Sequence, residues 1–533
     1  MRAPEAPRRA LSLFDLVMLG VGGLVGSGWL FSAQAAATIA GPASIISWIL
    51  GGLGVSLIGI TFAELSTLIP ETGGIIRYPE ISHGSLVSFL MGWAVIISYA
   101  GMPAIEAEAA LQYAQNYWPG LYNAAAGTLT SRGLLIATVL LVGFFFLNWI
   151  GVKVFARINS QITWIKLVVP LGTAVVLLAH GFHAQNWTAD GGFWPHGWAG
   201  VFSAISTGGI VFTFTGYRTI FDLAGEARSP SRDLSRALIF ALIFVGVVYL
   251  MLQLAFISAV PSRLLRGGWS TLHFNAPFAN LAVALNLSWL SMILYADAAV
   301  SPLGTGLVYA AAFPRTVYAL SKNGSVPAFF QRLNRFHVPG PATIISLLIG
   351  WTFLLPFPSW QKMVGILSSA TIITYMMGPI AAAALRRSAP DWPRPFRLPG
   401  LGWIGPIGFI VGSLIFYWGG WSTNRWMAVF LAIGAIIYMG YSYRLAGRPR
   451  TDVTRHGLWL VVYFVGMFCL SALGSSNFGG RNWIPAPFDQ IVVSLFSLII
   501  YYWGIASAKP VAYQVDQHAS DSDLATVAPI AQS

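Results

Sequence analysis

Apolar runs recur along the whole chain, each closed by a short polar link, and a helix needs about 20 apolar residues to cross a hydrocarbon core about 30 Å thick. The pattern predicts helical spans over 13–38, 43–67, 85–115, 133–150, 158–180, 200–225, 236–260, 288–313, 341–357, 363–385, 402–421, 425–444, 457–474 and 488–507. An even count of fourteen places both termini on one side. Residues 1–12 hold three arginines and no small-residue cleavage site before the first run, so no removable leader is expected. Past 507 the chain turns polar with few large apolar groups, which predicts a disordered tail over 508–533.

Composition sharpens the class. Of 533 residues 56% are apolar and 9% charged, with a mean hydropathy of +0.68, whereas soluble domains carry about 25% charged residues. That supply could not coat a water-exposed globule, so the expected class is an all-α integral membrane protein. A net charge of +12 would suit a nucleic-acid partner, but the basic residues lie in links between spans and form no single patch. Of the 30, Arg132, Arg263, Arg266, Lys362, Arg425 and Arg481 fall opposite the termini, Lys166 and Arg218 fall within spans, and the other 22 lie on the side of the termini. The positive-inside rule makes that side the cytoplasm, so the chain reads as a multi-pass protein of a bacterial inner membrane. The single cysteine, Cys469, excludes an internal disulfide and a cysteine-based metal cluster, and no metal site is expected.

Two spans carry helix breakers. In GVGGLVGSGWLF, Gly20 to Phe31, five of twelve residues are glycine, each weakening a helix by about 1 kcal/mol relative to alanine. A break is expected at Gly26, Ser27 and Gly28. Unwound backbone at mid-membrane is tolerated where it lines a cavity, and the half-helix starting there aims its N–H groups at an anion such as a substrate carboxylate. The competing reading is that the glycines only let helices pack closely. Five spans later, Ser206 to Pro230 reads STGGIVFTFTGYRTIFDLAGEARSP, with a second break expected around Phe214, Thr215 and Gly216. Breaks at matching positions of two five-span halves are the mark of an inverted-repeat transporter. The expected organisation is a cytoplasmic N-terminus over 1–12, a transport core over 13–385, a cytoplasmic loop over 386–401, and four further spans over 402–507 that serve as scaffold or as contacts of a homo-oligomer.

The GSGWLF run, FTFTGYR, AELSTLIPETGG from Ala63 to Gly74, AAFPRTVYALSKNGSVPAFF from Ala311 to Phe330 and RRSAPDWPRPFRLPG from Arg386 to Gly400 resemble the matching elements of the amino acid/polyamine/organocation permeases. Their order covers about 15 to 400, and the two spans beyond the usual twelve resemble the bacterial aspartate:proton symporter-like members. The resemblance implies a leucine-transporter-like fold of spans 1–5 and 6–10, with an amino acid held between the broken spans one and six. Carried over, Gly26, Ser27 and Gly28 would bind the α-carboxylate through backbone amides. Carbonyls near Phe212 and Thr215 would take the amino group, with Thr213 and Gly216 in the same stretch. Phe212 matches the position of an aromatic gate.

The two cations within spans then become informative, since each costs at least about 2.5 kcal/mol in a membrane. Arg218 departs from a common pattern, many relatives having Glu two residues after the glycine that matches Gly216. It lies ten residues from Arg228, about 15 Å along a helix, and its guanidinium suits the side-chain carboxylate of aspartate or glutamate. Alternatively Asp222, at i+4, simply pairs with it. Lys166 sits about 12 Å into span five, in a context, ITWIKLVVP, that in proton-coupled relatives fills the space taken by sodium in sodium-coupled cousins. It is expected to carry the coupling proton, or else to tie carbonyls of span one or eight. Glu106 and Glu108 of span three and Asp297 of span eight are plausible proton carriers. Residues two apart face different sides of a helix, which favours Glu106. Asp15, Glu64 and Glu226 lie toward inner ends and read as caps or loop partners.

The chain has no G-x-x-x-x-G-K-[ST] loop and no H-E-x-x-H pair, so ATP-driven transport and metalloproteolysis lack support, and no cofactor beyond the proton is expected. The expected function is proton-coupled uptake of an amino acid, preferably acidic. Exchange of one amino acid or amine for another is the alternative within the class, and a membrane sensor without turnover the alternative outside it.

Overall fold

The computed structural model describes residues 11–510, apart from 71–73, 124–125, 150–151, 190, 223, 225–226, 337, 356–359 and 445–449; the side chains of 152–161, 222 and 441–454 also lie outside the described set. Residues 511–533 of the expected disordered tail, Glu226 and the side chain of Asp222 therefore fall outside it. The chain runs through α1 Leu13–Leu24, α2 Gly28–Ala40, α3 Ser44–Leu68, α4 Gly74–His83 and α5 Ser85–Ala114. A small hairpin follows, β1 Tyr122–Asn123 antiparallel to β2 Thr128–Leu129. Next come α6 Ser131–Trp149, α7 Val152–His180, α8 Gly197–Thr207, α9 Ile210–Thr213, α10 Arg218–Asp222, α11 Pro230–Ala259 and α12 Pro277–Ala284. The chain ends in α13 Ser288–Lys322, α14 Gly340–Thr352, α15 Trp360–Tyr375, α16 Met377–Ser388, α17 Leu401–Trp418, α18 Trp421–Arg444, α19 Arg450–Leu473 and α20 Phe488–Ala506.

Among the described residues, 12 helical stretches are long and apolar enough to cross a membrane, and α1 and α14 are shorter apolar helices. Side chains such as Leu53, Val139, Ile243 and Ile499 point outward and are exposed, an apolar coat that would drive aggregation in water and that lipid accommodates. The interior is where polarity collects, with Glu64, Glu106, Glu108, Lys166, Arg218 and Asp297 all buried.

Helix α5 is the axis, packing most extensively on α13 and also on α15, α4, α6 and α14. The later helices lie against this core, α17 on α3 and α16, α18 on α5 and α15, and α20 on α16. At the face that carries the N-terminus, Leu11 bridges Ala227 and α1 starts in a capping box, Ser12 and Asp15 exchanging bonds of 2.9 and 3.3 Å. On that same face Glu64, 1% exposed, accepts Arg386 Nε at 2.8 Å, Arg386 Nη2 at 2.5 Å and the Leu398 amide at 2.8 Å, with Arg394 Nε 3.6 Å away. At the opposite face Gln34 clamps Phe274 through paired bonds of 3.1 and 3.0 Å to its carbonyl and amide, closing the 260–287 segment over α2.

Several boundaries differ from the expectation. Helix α13 runs to Lys322 instead of stopping near 313, straight through Pro314; the ring leaves one carbonyl unpaired, and Arg315 Nη1 donates to the Ala311 carbonyl at 3.2 Å within the same turn. The span expected over 341–357 ends as a helix at Thr352. Helices α4 and α12 and the hairpin were not expected, being too short to announce themselves by hydropathy.

Candidate functional site

The first predicted break lies between Leu24 and Gly28. Its last carbonyls have no partner within α1, and side chains from three other helices supply one each. Lys166 Nζ of α7 donates to the Gly22 carbonyl at 3.1 Å, Tyr249 of α11 to the Leu24 carbonyl at 2.8 Å, and Thr305 of α13 to the Val25 carbonyl at 3.3 Å. Lys166 Nζ also donates to Thr305 Oγ1 at 2.6 Å, so one hydrogen-bonded chain ties α7 and α13 to the end of α1. On the other side of the break, the amide of Ser27 at the start of α2 donates to Glu106 Oε2 at 2.9 Å. A carboxylate therefore already occupies the N-terminal end of this half-helix, as the dipole favours, and it belongs to the protein. A Cβ on Gly26 would come within 2.6 Å of Glu106 Oε1, so only glycine lets the carboxylate this close.

The chain from α8 to α10 is interrupted twice. The later break, at Phe214 to Tyr217, is where the sequence predicts it; the earlier one, at Gly208 and Gly209, was missed. Gly209 holds a φ of +85°, a left-handed conformation that suits glycine, and Ser32 Oγ would lie 2.4 Å from a Cβ there. The two broken segments cross backbone to backbone. A Cβ on Gly216 would sit 2.1 Å from the Gly23 carbonyl carbon and oxygen and 2.4 Å from the Leu24 nitrogen. Thr213 meets the start of α2, its Cγ2 lying 2.5 Å from where a Cβ of Gly28 would be. The carbonyls assigned to an amino group are engaged internally, that of Phe212 by the Thr215 hydroxyl at 2.7 Å and that of Thr215 by the Tyr375 hydroxyl, but each keeps a second lone pair.

Arg218 is fully buried beside this crossing. Its guanidinium stacks 3.8 Å from the Tyr99 ring centroid, with Tyr375 at 5.9 Å and Tyr309 at 6.0 Å, and Nη2 donates to Ser98 Oγ at 3.0 Å. Ser98 in turn shares a 2.7 Å bond with Thr371. Glu106 and Asp297 both lie within electrostatic reach of Lys166. Asp297 Oδ1 accepts Ser301 of its own helix at 3.0 Å. Glu108 is buried as well, and the backbone N–H of Trp360, at the start of α15, faces its carboxylate. The proposed aromatic gate, Phe212, is buried and packs edge-on to Trp360 at 6.0 Å.

Sequence reasoning missed Thr305, Tyr249, Ser98, Tyr99, Tyr375 and Trp360. Thr305 alone left a signal, since Gly304 and Gly306 flank it in an otherwise helical run; Lys166 Cε lies 3.3 Å from where a Cβ of Gly304 would be.

Comparison with known proteins identifies the family. Residues 11–440 match the model of a family described as amino acid permease. The chain is 40% identical to the glutamate/serine transporter AimA of Bacillus subtilis (strain 168), over 97% of both chains. It is 39% identical to the aspartate-proton symporter of the same organism, over 95% of this chain and 98% of that one. A branched-chain amino acid permease of that organism, BcaP, is 27% identical over 82% of this chain. With the family model covering most of the chain and relatives matched end to end, this multi-pass membrane protein belongs to the amino acid permease family.

Proposed function

We propose that the chain is a proton-coupled symporter for an acidic amino acid, working through a fourteen-span architecture with a five-plus-five inverted-repeat core over 13–385. The observation that carries the reading is the Ser27 amide holding a carboxylate at the first break. A site that already seats the Glu106 carboxylate, 2.9 Å from that amide, has the chemistry to seat the α-carboxylate of a substrate at Gly26, Ser27 and Gly28.

The coupling follows from competition. Two ionised carboxylates repel each other at one half-helix terminus, so an arriving substrate displaces Glu106. The displaced group is stabilised by taking a proton or by leaning on the Lys166 ammonium, with Asp297 as a further carboxylate in reach. Substrate and proton therefore favour each other's binding, which is the thermodynamic content of symport. Phe212, Thr213, Thr215 and Gly216 form the opposite wall. Arg218 supplies the positive charge that selects a side-chain carboxylate, its planar fork matching that group in two bonds. The names of the two relatives at 39–40% identity, an aspartate-proton symporter and a glutamate/serine transporter, support this substrate class. The excess of basic residues on the side of both termini supports an inner-membrane orientation with those termini in the cytoplasm, residues 386–401 as a cytoplasmic loop, and four added spans over 402–507.

The test is uptake of radiolabelled aspartate, glutamate, serine and a basic amino acid into proteoliposomes under an inward proton gradient, for wild type and Arg218→Ala. Gradient-driven uptake of the acids that Arg218→Ala abolishes is expected. Uptake confined to neutral or basic substrates would overturn the acidic reading.

A further inference from the structure

Trp360 opens α15 at the end of the site away from the N-terminal face. Its ring is 2% exposed and touches both broken segments. Nε1 donates to Ser27 Oγ at 2.9 Å, in the first turn of the second half-helix. The ring packs at a tilt against Phe31 of α2 at 4.9 Å and meets Phe212 of α9 edge-on at 6.0 Å, and its Cη2 would lie 3.0 Å from a Cβ on Gly209. Phe31 in turn meets Tyr113 of α5 edge-on at 5.3 Å, so rings from three helices gather at this end of the site, with Trp360 bonded to Ser27.

We propose that Trp360 is a gate residue on the external side, and that the indole–Ser27 hydrogen bond is its latch. This rests on the reading of Ser27 as the carboxylate seat. A substrate arriving from outside meets the rings before it meets the amides of the break, and it needs the Ser27 region that the indole holds. Opening moves the start of α15 away from α2 and α9, which breaks one hydrogen bond and parts the Phe31 and Phe212 contacts. Because the same ring touches α2 and α9, the latch also reports whether the two halves are drawn together. A merely structural tryptophan would stabilise the fold without changing access.

The experiment reads access without requiring transport. In a Cys469→Ala background, Thr213→Cys places a thiol against the start of α2, one residue on from Phe212, where the wild-type side chain is 1% exposed. A membrane-impermeant thiosulfonate is added outside right-side-out proteoliposomes. One neutral hydrogen bond shifts an equilibrium by about two- to tenfold, so Trp360→Phe, which keeps an aromatic ring and removes the donor, is expected to raise the labelling rate by about that factor. Ser27→Ala removes the same bond from the other partner and is expected to act alike, and Trp360→Ala, which also removes the ring, to act more strongly. Unchanged labelling in Trp360→Phe and Ser27→Ala, in protein that elutes as a single species, would overturn the gate. Substrate protection is the separate readout: faster labelling in the variants with no protection by aspartate or glutamate leaves the gate standing and removes the acidic reading.

Discussion

The crossing of the two breaks can be tested by one methyl group. In Gly216→Ala the new Cβ would sit 2.1 Å from two backbone atoms of Gly23 and 2.4 Å from a third, on Leu24. Ordinary contact begins near 3.4 Å, so the segments must part by more than 1 Å. No flexible side chain can yield instead, because every atom met is backbone, and that backbone is tied down by Lys166, Tyr249 and Thr305. A 1 Å misplacement of binding groups costs about 10²-fold in rate, and that is the loss expected in the initial rate of uptake per incorporated protein. Gly172→Ala is the control. Nothing lies within 4 Å of a Cβ at that position on α7, and alanine there gains about 0.5–1 kcal/mol of helix propensity, so transport should equal wild type. A Gly216→Ala protein within threefold of wild type would refute the claim that the close crossing shapes the site.

Lys166→Met removes the donor to Gly22 and Thr305; it is expected to abolish accumulation driven by a proton gradient while counterflow of preloaded substrate continues, and gradient-driven accumulation that persists would remove Lys166 from the coupling. Glu64→Ala leaves Arg386 and the Leu398 amide without their shared acceptor. Removing one member of such a pair costs on the order of 3 kcal/mol when the pair is fully dry, and less here because the Arg386 side chain is 23% exposed; a melting temperature in detergent several degrees below wild type is expected, and no change would refute the anchor. At the end of α4, burial drives the His83 imidazole down to about 4, with His456 adding to the fall and a bond to the Gly504 carbonyl opposing it. The unfolded chain takes up that proton near 6.5, so stability falls as pH drops from 6.5 towards 4, by up to about 3 kcal/mol. Melting curves of His83→Gln should lose that slope, and an unchanged slope would assign it elsewhere.

Helix length and hydropathy made the membrane class readable, because a span must be apolar along its whole length whatever it packs against. The first break was readable because five glycines in twelve residues cannot hold a mid-membrane helix together unaided. Helical geometry favoured Glu106 over Glu108, and it is Glu106 that meets the Ser27 amide; Lys166 stood out because a lone ammonium in an apolar run needs partners. Those partners were invisible. Thr305 and Tyr249 are 139 and 225 residues away from the groups they satisfy, and neither residue type is unusual in a span. Trp360 is one of 21 tryptophans, and only folding brings it over Ser27, 333 positions earlier. The bend at Gly208 and Gly209 lies in the same stretch but carries a weaker signal than the FTFTGYR segment that starts three residues on.

The cage around Glu64 sets a limit on how far this chain can be shortened. Its donors are Arg386 and the Leu398 amide, with the Arg394 guanidinium as a second nearby cation, all beyond 385, where a ten-span unit would naturally be cut. A truncation at that point would strand an anion at the base of α3 with nothing to neutralise it. A minimal version of this protein therefore has to carry the connecting strap through Leu398, and swapping the last four helices between homologues requires moving the join to the far side of Gly400.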